Sequence, residues 1–83
     1  MYKVKIEKHV LKKLEKINDP DYTKIKKTIN SLANDPRPTG YTKLKGRPGY
    51  RVRQGDYRII YEVSDGILTV FVIDLGHRKD VYD

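Results

Sequence analysis

The sequence contains no cysteine among its 83 residues. Without cysteine, no disulfide can cross-link the fold, and no thiolate can serve as a nucleophile or as a metal ligand. The chain also has no run of about 18 apolar residues, the length that a membrane-spanning helix requires. We therefore expect a protein of the cytoplasm that makes no contact with a membrane.

Acidic residues are scarce relative to basic ones. Lys plus Arg number 18 and Asp plus Glu number 11, which gives a net charge of +7. A field of this sign and size favours an anionic partner, either nucleic acid or an acidic protein. Solubility alone is a plainer explanation of the same net charge. The positions of the charged residues distinguish between these interpretations.

Hydrophobic residues are also few, at 37%, but they recur with the periods of regular secondary structure. Alternating apolar and charged residues over positions 2–7 predict a strand. Apolar residues at helical spacing predict a first helix over 10–17 and a second over 22–33, which begins near Asp19 and Pro20. The later part of the chain indicates four strands, with the sequences YTKLKG, GYRVRQ, DYRIIYEV and ILTVFVIDL.

This order of elements, β-α-α-β-β-β-β, indicates an α+β fold. Short turns such as Gly55-Asp56 and Asp65-Gly66 force the strands that they join to be antiparallel. We expect an antiparallel twisted sheet, with the two helices forming a hairpin that packs on one face and leaves the other face open. Because the chain has 83 residues and no linker or repeat, we interpret 1–83 as one domain.

Three arginines are crowded into the segment YRVRQGDYR, residues 50–58. If its Gly-Asp pair forms a two-residue hairpin turn, Arg53 lies directly opposite Arg58, and Arg51 projects from the same face. Like charges that face each other across an antiparallel pair are destabilising, so stability gives no reason for this placement. A bound anion would relieve the repulsion. Phosphate suits arginine because the planar guanidinium donates paired hydrogen bonds to it.

The basic character extends over residues 41–61, where tyrosines are interleaved with Lys43, Lys45 and Arg47 as well as with the three arginines. Basic residues with interleaved aromatic ones are typical of surfaces that bind nucleic acid. A solvated charged face that discourages edge pairing would have a similar composition, and most of the tyrosines are expected in the core. We interpret Lys43, Lys45 and Arg47 as contacts to RNA.

Three segments, KLKG, YRVRQGDYRIIYEV and VIDLGHRKDVYD, resemble the RelE toxins of the RelE/ParE superfamily, and the predicted order of elements agrees with that family. The resemblance implies a set of catalytic residues at matching positions, and it implies that Lys43 and Lys45 contact the RNA backbone. The catalytic set consists of Arg51, Arg53, Arg58, Arg78 and Tyr82.

The resemblance also implies a function. RelE toxins enter the ribosomal A site and cleave the messenger RNA there, and they are restrained by a cognate antitoxin, which we expect to be acidic and to form a hetero-oligomer with the toxin. The alternative is a ParE-like toxin without nuclease activity, which acts on a protein target such as DNA gyrase. ParE-like relatives commonly lack the basic residues described above, so these residues favour the nuclease.

The chemistry implied for this site needs neither a metal nor a cofactor. With no cysteine, no cluster of carboxylates and only two separated histidines, a metal-dependent nuclease is not expected, so the RNA has to supply its own 2′-hydroxyl as nucleophile. Arg51 and Arg53 occupy positions where the best-known RelE toxin has lysines, and arginine exchanges protons poorly because its pKa is about 12.5 or higher. His77 is therefore a further candidate for acid–base catalysis. Asp74 and Asp80 are interpreted as partners of nearby cations.

Overall fold

The computed structural model describes residues 1–79 and contains two helices and five strands. In chain order these elements are β1 Lys3–Ile6, α1 Lys8–Glu15, α2 Asp21–Ser31, β2 Thr42–Lys43, β3 Tyr50–Gln54, β4 Tyr57–Ser64 and β5 Thr69–His77. The predicted α+β class and the predicted order of elements are both confirmed. Neither of the two helices of this described part is long or apolar enough to cross a bilayer.

The strands form one sheet in the order β1-β5-β4-β3-β2. The four strands from β2 to β5 are antiparallel to their neighbours, as predicted, but β1 lies parallel to β5, with Lys3 opposite Thr69. The expectation of a wholly antiparallel sheet is therefore wrong for this pair. Short turns constrain only the strands that they join. The helices connect β1 to β2, at the opposite edge of the sheet, and β1 meets β5 only when the last strand returns beside it, so no turn fixes the relative direction of this pair.

The main core lies between the two helices and one face of the sheet. α1 contacts β5, and α2 contacts β3. Asp19, near which the second helix was predicted to begin, accepts a hydrogen bond from the backbone N–H of Thr23 at 2.9 Å, and α2 itself begins at Asp21. The buried residues of this core come from both helices and from alternate positions of the three central strands: Val10, Leu14, Ile25, Ile29, Leu32, Val52, Ile59, Tyr61, Val70, Val72 and Leu75.

The opposite face of the sheet is not entirely open, and in this respect the prediction is wrong. Leu44, in the loop that follows β2, packs against Ile60 and Ile73 and forms a small second apolar cluster. The loop returns close to the sheet at Gly49, whose φ is +117° and where a Cβ would lie 3.0 Å from the Tyr61 carbonyl oxygen. A residue with a side chain would be strained there in backbone conformation and in space.

A register shift interrupts the pairing of β4 with β5. Ile60 pairs with Asp74 and Tyr61 pairs with Val72, so Ile73 has no partner in this ladder. Such bulges bend a strand and can redirect a side chain. Here the Asp74 carboxylate reaches α1, where it accepts a hydrogen bond from Lys13 Nζ at 2.8 Å.

Arg37, in the loop that follows α2, joins three distant parts of the chain. Its guanidinium donates to the Asp65 carboxylate at 3.1 Å and to the Tyr50 hydroxyl at 3.3 Å, and the Tyr2 hydroxyl donates to the same carboxylate at 2.6 Å. The hydrogen bond from Arg37, followed by that from Tyr2, lowers the pKa of Asp65 below its ordinary value. This network lies at the end of β4 opposite to the Gly55-Asp56 turn, away from Arg53 and Arg58, which flank that turn.

The hydroxyl of Tyr61 provides a test of the core. Tyr61 is fully buried and donates to the Pro36 carbonyl at 2.7 Å, so we expect Tyr61→Phe to lower the free energy of unfolding by about 1–2 kcal/mol near neutral pH. Burial raises the pKa of Tyr61 to about 12, whereas a tyrosine in the unfolded chain ionises near 10. The wild-type advantage should therefore be complete below pH ~10 and be lost as the pH rises toward ~12.

Urea unfolding of the wild type and of Tyr61→Phe at two pH values measures this effect. Between pH ~8 and pH ~11 the difference in unfolding free energy should shrink by about 1 kcal/mol, because only the wild type carries the group that titrates. The phenylalanine variant also controls for the deprotonation of lysines, which both proteins share. A difference that stayed constant over this range would contradict the assignment.

Candidate functional site

Arg53 and Arg58 lie opposite each other in the hairpin of β3 and β4, in the predicted register. The two-residue turn between these strands is possible because Gly55 adopts a φ of +60°, in the left-handed region that favours glycine. Arg51 precedes Arg53 by two positions in β3 and therefore belongs to the same face. The hairpin thus carries three arginines on the face that points away from the helices.

A fourth arginine, Arg78, joins this group just after the end of β5. Its backbone N–H donates to the carbonyl of Asp56 at 2.7 Å, and its side chain lies 3.7 Å from the Asp56 carboxylate. Arg58 in turn approaches the carbonyl of Arg78, at 3.5 Å. The hairpin turn is therefore fixed to the end of β5, and this contact brings together cations that are 20 residues apart in sequence.

These arginines surround a small cavity of about 100 Å³, lined by Arg53, Gly55, Asp56, Tyr57, Arg58 and Arg78. Since a water molecule takes up roughly 30 Å³ in the liquid, the cavity has the scale of a single phosphate group. Its lining contains three guanidinium groups and one carboxylate. The arrangement is that of an anion site with hydrogen-bond donors on several sides.

Repulsion among the cations is evident at Arg51. Burial, and after it the charges of Arg53 and Arg58, lower the pKa of the Arg51 guanidinium below its ordinary value. Both effects disfavour the charged form, the first because charge is poorly solvated there and the second because like charges are close. An anion that entered this face would offset the second effect.

Lys43, Lys45 and Arg47, the predicted contacts to RNA, lie at the β2 edge of the sheet. All three are exposed. Lys43 lies in β2 opposite Tyr50, one position from the pair of Thr42 and Arg51, and the other two belong to the loop between β2 and β3. Because Tyr50 packs against the main core, strand alternation places Lys43 on the same face as Tyr50, away from the arginines. Lys45 and Arg47 lie in the loop whose Leu44 packs on the other face of the sheet, the one that carries the arginines.

His77 is not brought into the arginine cavity. It pairs with Tyr57 across β4 and β5, and the two rings lie edge to face with their centroids 5.5 Å apart. Tyr57 packs against the main core, so His77 belongs to the face of the sheet that the helices cover. The reason is the alternation of a strand, in which Gly76 shares the face of Arg58 and His77 takes the other.

Two further predicted residues, Tyr82 and Asp80, lie outside the described residues. Within positions 1–79, no group of three or more His, Asp or Glu side chains is arranged to hold a metal ion. Asp74, which was interpreted as a partner of a nearby cation, does form an ion pair, with Lys13 at 2.8 Å.

Sequence reasoning missed the charged cluster around this ion pair. His9 Nε2 lies 3.8 Å from the Asp74 carboxylate, and His9 Nδ1 lies 3.3 Å from Glu7. The hydrogen bonds from Lys13 and from the Leu75 amide outweigh burial and lower the pKa of Asp74. No local pattern indicates these contacts, because Lys13 and Asp74 are 61 positions apart and meet only through the parallel pairing of β1 and the bulge in β5.

The fold and the cluster of arginines together define a small α+β protein that carries a candidate anion site on the face of its sheet opposite to the helices. A sequence model of the family described as "ParE toxin of type II toxin-antitoxin system, parDE" matches residues 4–82. The chain therefore belongs to this family of toxins, within the RelE/ParE superfamily.

Individual relatives agree with this assignment. The chain is 30% identical over 81 residues to the mRNA interferase toxin RelE of Escherichia coli strain K12, a match that covers 94% of this chain and 84% of the relative. Among solved structures, RelE in the archaeal RelE–RelB complex from Pyrococcus horikoshii OT3 is similar with a TM-score of 0.85 and 31% identity, covering 96% of this chain and 98% of that one. The isolated E. coli RelE toxin is similar with a TM-score of 0.80 and 29% identity, covering 93% and 84%.

Proposed function

We propose that this toxin is a ribosome-dependent endoribonuclease of the cytoplasm that cleaves messenger RNA in the A site and so inhibits translation. The observation that carries the proposal is the convergence of Arg53, Arg58 and Arg78 on a cavity of about 100 Å³. The similarity to an E. coli protein named as an mRNA interferase supports the same assignment.

The proposed reaction is a transesterification within the RNA. The 2′-hydroxyl attacks the adjacent phosphorus, a bond from O2′ to phosphorus forms, and the bond from phosphorus to O5′ breaks. The products are a 2′,3′-cyclic phosphate and a 5′-hydroxyl. Arg53, Arg58 and Arg78 would stabilise the negative charge that develops on the phosphoryl oxygens, a role that requires donors fixed in advance of the reaction.

Two protons have to move in this scheme, one from the 2′-hydroxyl and one to the departing O5′. Arginine is poorly suited to this because its pKa is about 12.5 or higher. We assign proton transfer to the remaining members of the predicted site, Tyr82 and His77. Because His77 lies on the helix-covered face, its part in the reaction requires that the RNA reach around the end of β5.

Cleavage on programmed ribosomes tests the proposal. The purified toxin is added to ribosomes that hold a defined codon in an empty A site, and the ends of the message are mapped. We expect breaks within that codon, 5′-hydroxyl and 2′,3′-cyclic phosphate ends, and no cleavage of the same RNA without ribosomes. Intact messages would overturn the proposal.

A second candidate function is that of a ParE-like toxin, which inhibits a protein target such as DNA gyrase and has no nuclease activity. The description of the matching family, which names a ParE toxin, is the observation that favours it. A supercoiling assay with purified gyrase distinguishes the two functions. Inhibited supercoiling together with intact ribosome-bound messages would establish the alternative.

We further propose an acidic antitoxin as partner, in a toxin–antitoxin hetero-oligomer. The net charge of +7 attracts acidic segments, and the structures similar to this chain include RelE–RelB complexes. Expression of the chain alone should arrest growth, and coexpression with the neighbouring reading frame should restore growth and yield a copurifying acidic protein. Harmless accumulation of the chain alone, with nothing copurifying, would contradict this prediction.

A further inference from the structure

A second and larger cavity, of about 330 Å³, lies between the C-terminal end of α1 and the end of β5. Its volume falls within the range of small-molecule sites, which begins at about 300 Å³. The lining residues come from α1 and the residues just after it, from β5, and from the start of β4: Lys13, Lys16, Ile17, Tyr57, Asp74, Leu75, Gly76 and His77.

This cavity adjoins the arginine site at one residue. Tyr57 lines both cavities, and its neighbour Arg58 pairs with Gly76, which lines the larger one. A single strand of RNA whose phosphate lies among the arginines can therefore place an adjacent nucleotide at the larger cavity by passing the end of β4 and β5.

The walls combine the features that proteins use for an unstacked base. Ile17 and Leu75 supply apolar surface, while Tyr57 and His77 supply rings, and bases taken out of a stack are commonly held against aromatic side chains. Lys13 and Lys16 provide the positive charge that a flanking phosphate requires. The positive charge of these two lysines therefore complements the negative charge of RNA.

Asp74 supplies the polar group that can read the base. Its Oδ1 accepts hydrogen bonds from Lys13 Nζ and from the Leu75 amide, both at 2.8 Å. A carboxylate has about four acceptor positions on its two oxygens, and the hydrogen bonds to Asp74 within residues 1–79 use Oδ1. Carboxylates accept from the exocyclic amino group of a base such as cytosine, whereas uracil has no amino group.

We propose that this cavity binds one unstacked base of the RNA, of the kind that presents an amino group, next to the phosphate held by the arginines. The inference rests on the proposed function for the identity of the RNA, and it adds a subsite that selects among bases. Tyr57 and His77 hold the ring, Asp74 accepts from the amino group, and Lys16 contacts the flanking phosphate.

Titration of the ¹⁵N-labelled protein with cytidine and uridine 5′-monophosphates tests the subsite without requiring cleavage. We expect amide shifts at Lys16, Gly76 and His77, with cytidine binding about tenfold more tightly than uridine. Asp74→Asn should reduce this preference to about threefold, because a neutral acceptor forms a hydrogen bond roughly half as strong as a charged one. Asp74→Ala should abolish the preference.

Matched lysine variants on one helix serve as the control. Lys16→Gln should lower the affinity for both nucleotides several-fold. Lys12→Gln removes the same charge from an exposed residue outside the cavity and should leave both affinities unchanged. Equal affinity for the two nucleotides in the wild type, or shifts confined to residues outside the cavity, would overturn the inference. Asp74 and Lys16 variants that weaken only antitoxin binding would assign the cavity to the antitoxin and overturn it as well.

Cleavage on programmed ribosomes separates this inference from the proposed function. Messages that carry cytidine or uridine beside the cleaved phosphate should be cut at different rates by the wild type and at similar rates by Asp74→Ala. Cleavage by the wild type without any base preference would leave the nuclease in place and refute the subsite. If the wild type cuts no message, the nuclease is refuted, and cytidine-induced shifts at the cavity would still establish the nucleotide site.

Discussion

Arg58→Gln is expected to lower the single-turnover rate of message cleavage on the ribosome by about a hundredfold to a thousandfold. Arg58 lines the cavity that Arg53 and Arg78 also line, which is where we propose that charge develops on the phosphoryl oxygens. Glutamine retains hydrogen-bond donors but loses the charge and the paired geometry. The loss should therefore appear in the chemical step, and the affinity for the ribosome should change little.

Folding should survive this substitution. Arg58 faces Arg53 across the hairpin, and removing one of two opposed cations relieves a repulsion of a few tenths of a kcal/mol. The unfolding free energy of Arg58→Gln should therefore equal that of the wild type within about 1 kcal/mol, or slightly exceed it. Urea unfolding, measured beside the cleavage assay, shows whether a loss of activity is a loss of structure.

Arg47→Gln provides the matched control, because it makes the same chemical change at an exposed position outside the cavity. It should weaken ribosome binding by a few-fold and leave the single-turnover rate at saturation unchanged. An Arg58→Gln variant that bound weakly but cleaved normally once bound would place the reactive phosphate elsewhere. Full toxicity of Arg58→Gln in cells would favour the ParE-like function instead.

The arginine face illustrates how much of such a site the sequence can predict. The register of Arg53 with Arg58 follows from local chemistry alone, because a two-residue turn with glycine fixes the pairing of the strands on either side. Alternation along β3 then places Arg51 on the same face. Both relations depend only on residues that are close in sequence, which is why they could be predicted, and the structure confirms them.

The features that the sequence did not predict depend on contacts between distant residues. The parallel pairing of β1 with β5 brings together the first and last strands of the chain, which no turn connects, so no local pattern specifies it. The second apolar cluster forms because the loop carrying Leu44 folds back over the sheet. The contact between Asp74 and Lys13 spans β5 and α1 and lies next to a register shift in the pairing of β5. Each of these features depends on tertiary contacts, which the local sequence does not specify.

For His77, the position in the sequence and the position in the sheet lead to different expectations. The sequence places it next to Arg78, and the resemblance places both at the end of the site. Strand alternation nevertheless separates Gly76 and His77 onto opposite faces, with Gly76 opposite Arg58 and His77 opposite Tyr57. In the proposed base subsite, His77 holds a base, and proton transfer then rests on Tyr82.

Ribosome binding by the wild type is expected to weaken by roughly a thousandfold between ~50 and ~200 mM monovalent salt at constant Mg²⁺. A protein that neutralises about six or more phosphates loses affinity on this scale, because bound counterions are released from the nucleic acid. The arginine face and its flank offer enough cations for this number of contacts: Lys45, Arg47, Arg51, Arg53, Arg58 and Arg78. Equilibrium binding to empty A-site ribosomes over this salt range gives the slope directly.

Single substitutions locate the charges responsible for that slope. Lys45→Gln should reduce the slope of log affinity against log salt by about one, since it removes one phosphate contact. Lys3→Gln is the matched control: Lys3 is equally exposed, but it lies in β1, at the edge of the sheet opposite to β2, and its substitution should leave the slope unchanged. If both substitutions lowered the slope equally, the charge would act as a general field and the flank of the arginine face would not be the contact surface. A wild-type affinity that did not change with salt would indicate an uncharged interface of the protein–protein type. That result would contradict the proposal that RNA binds to this face.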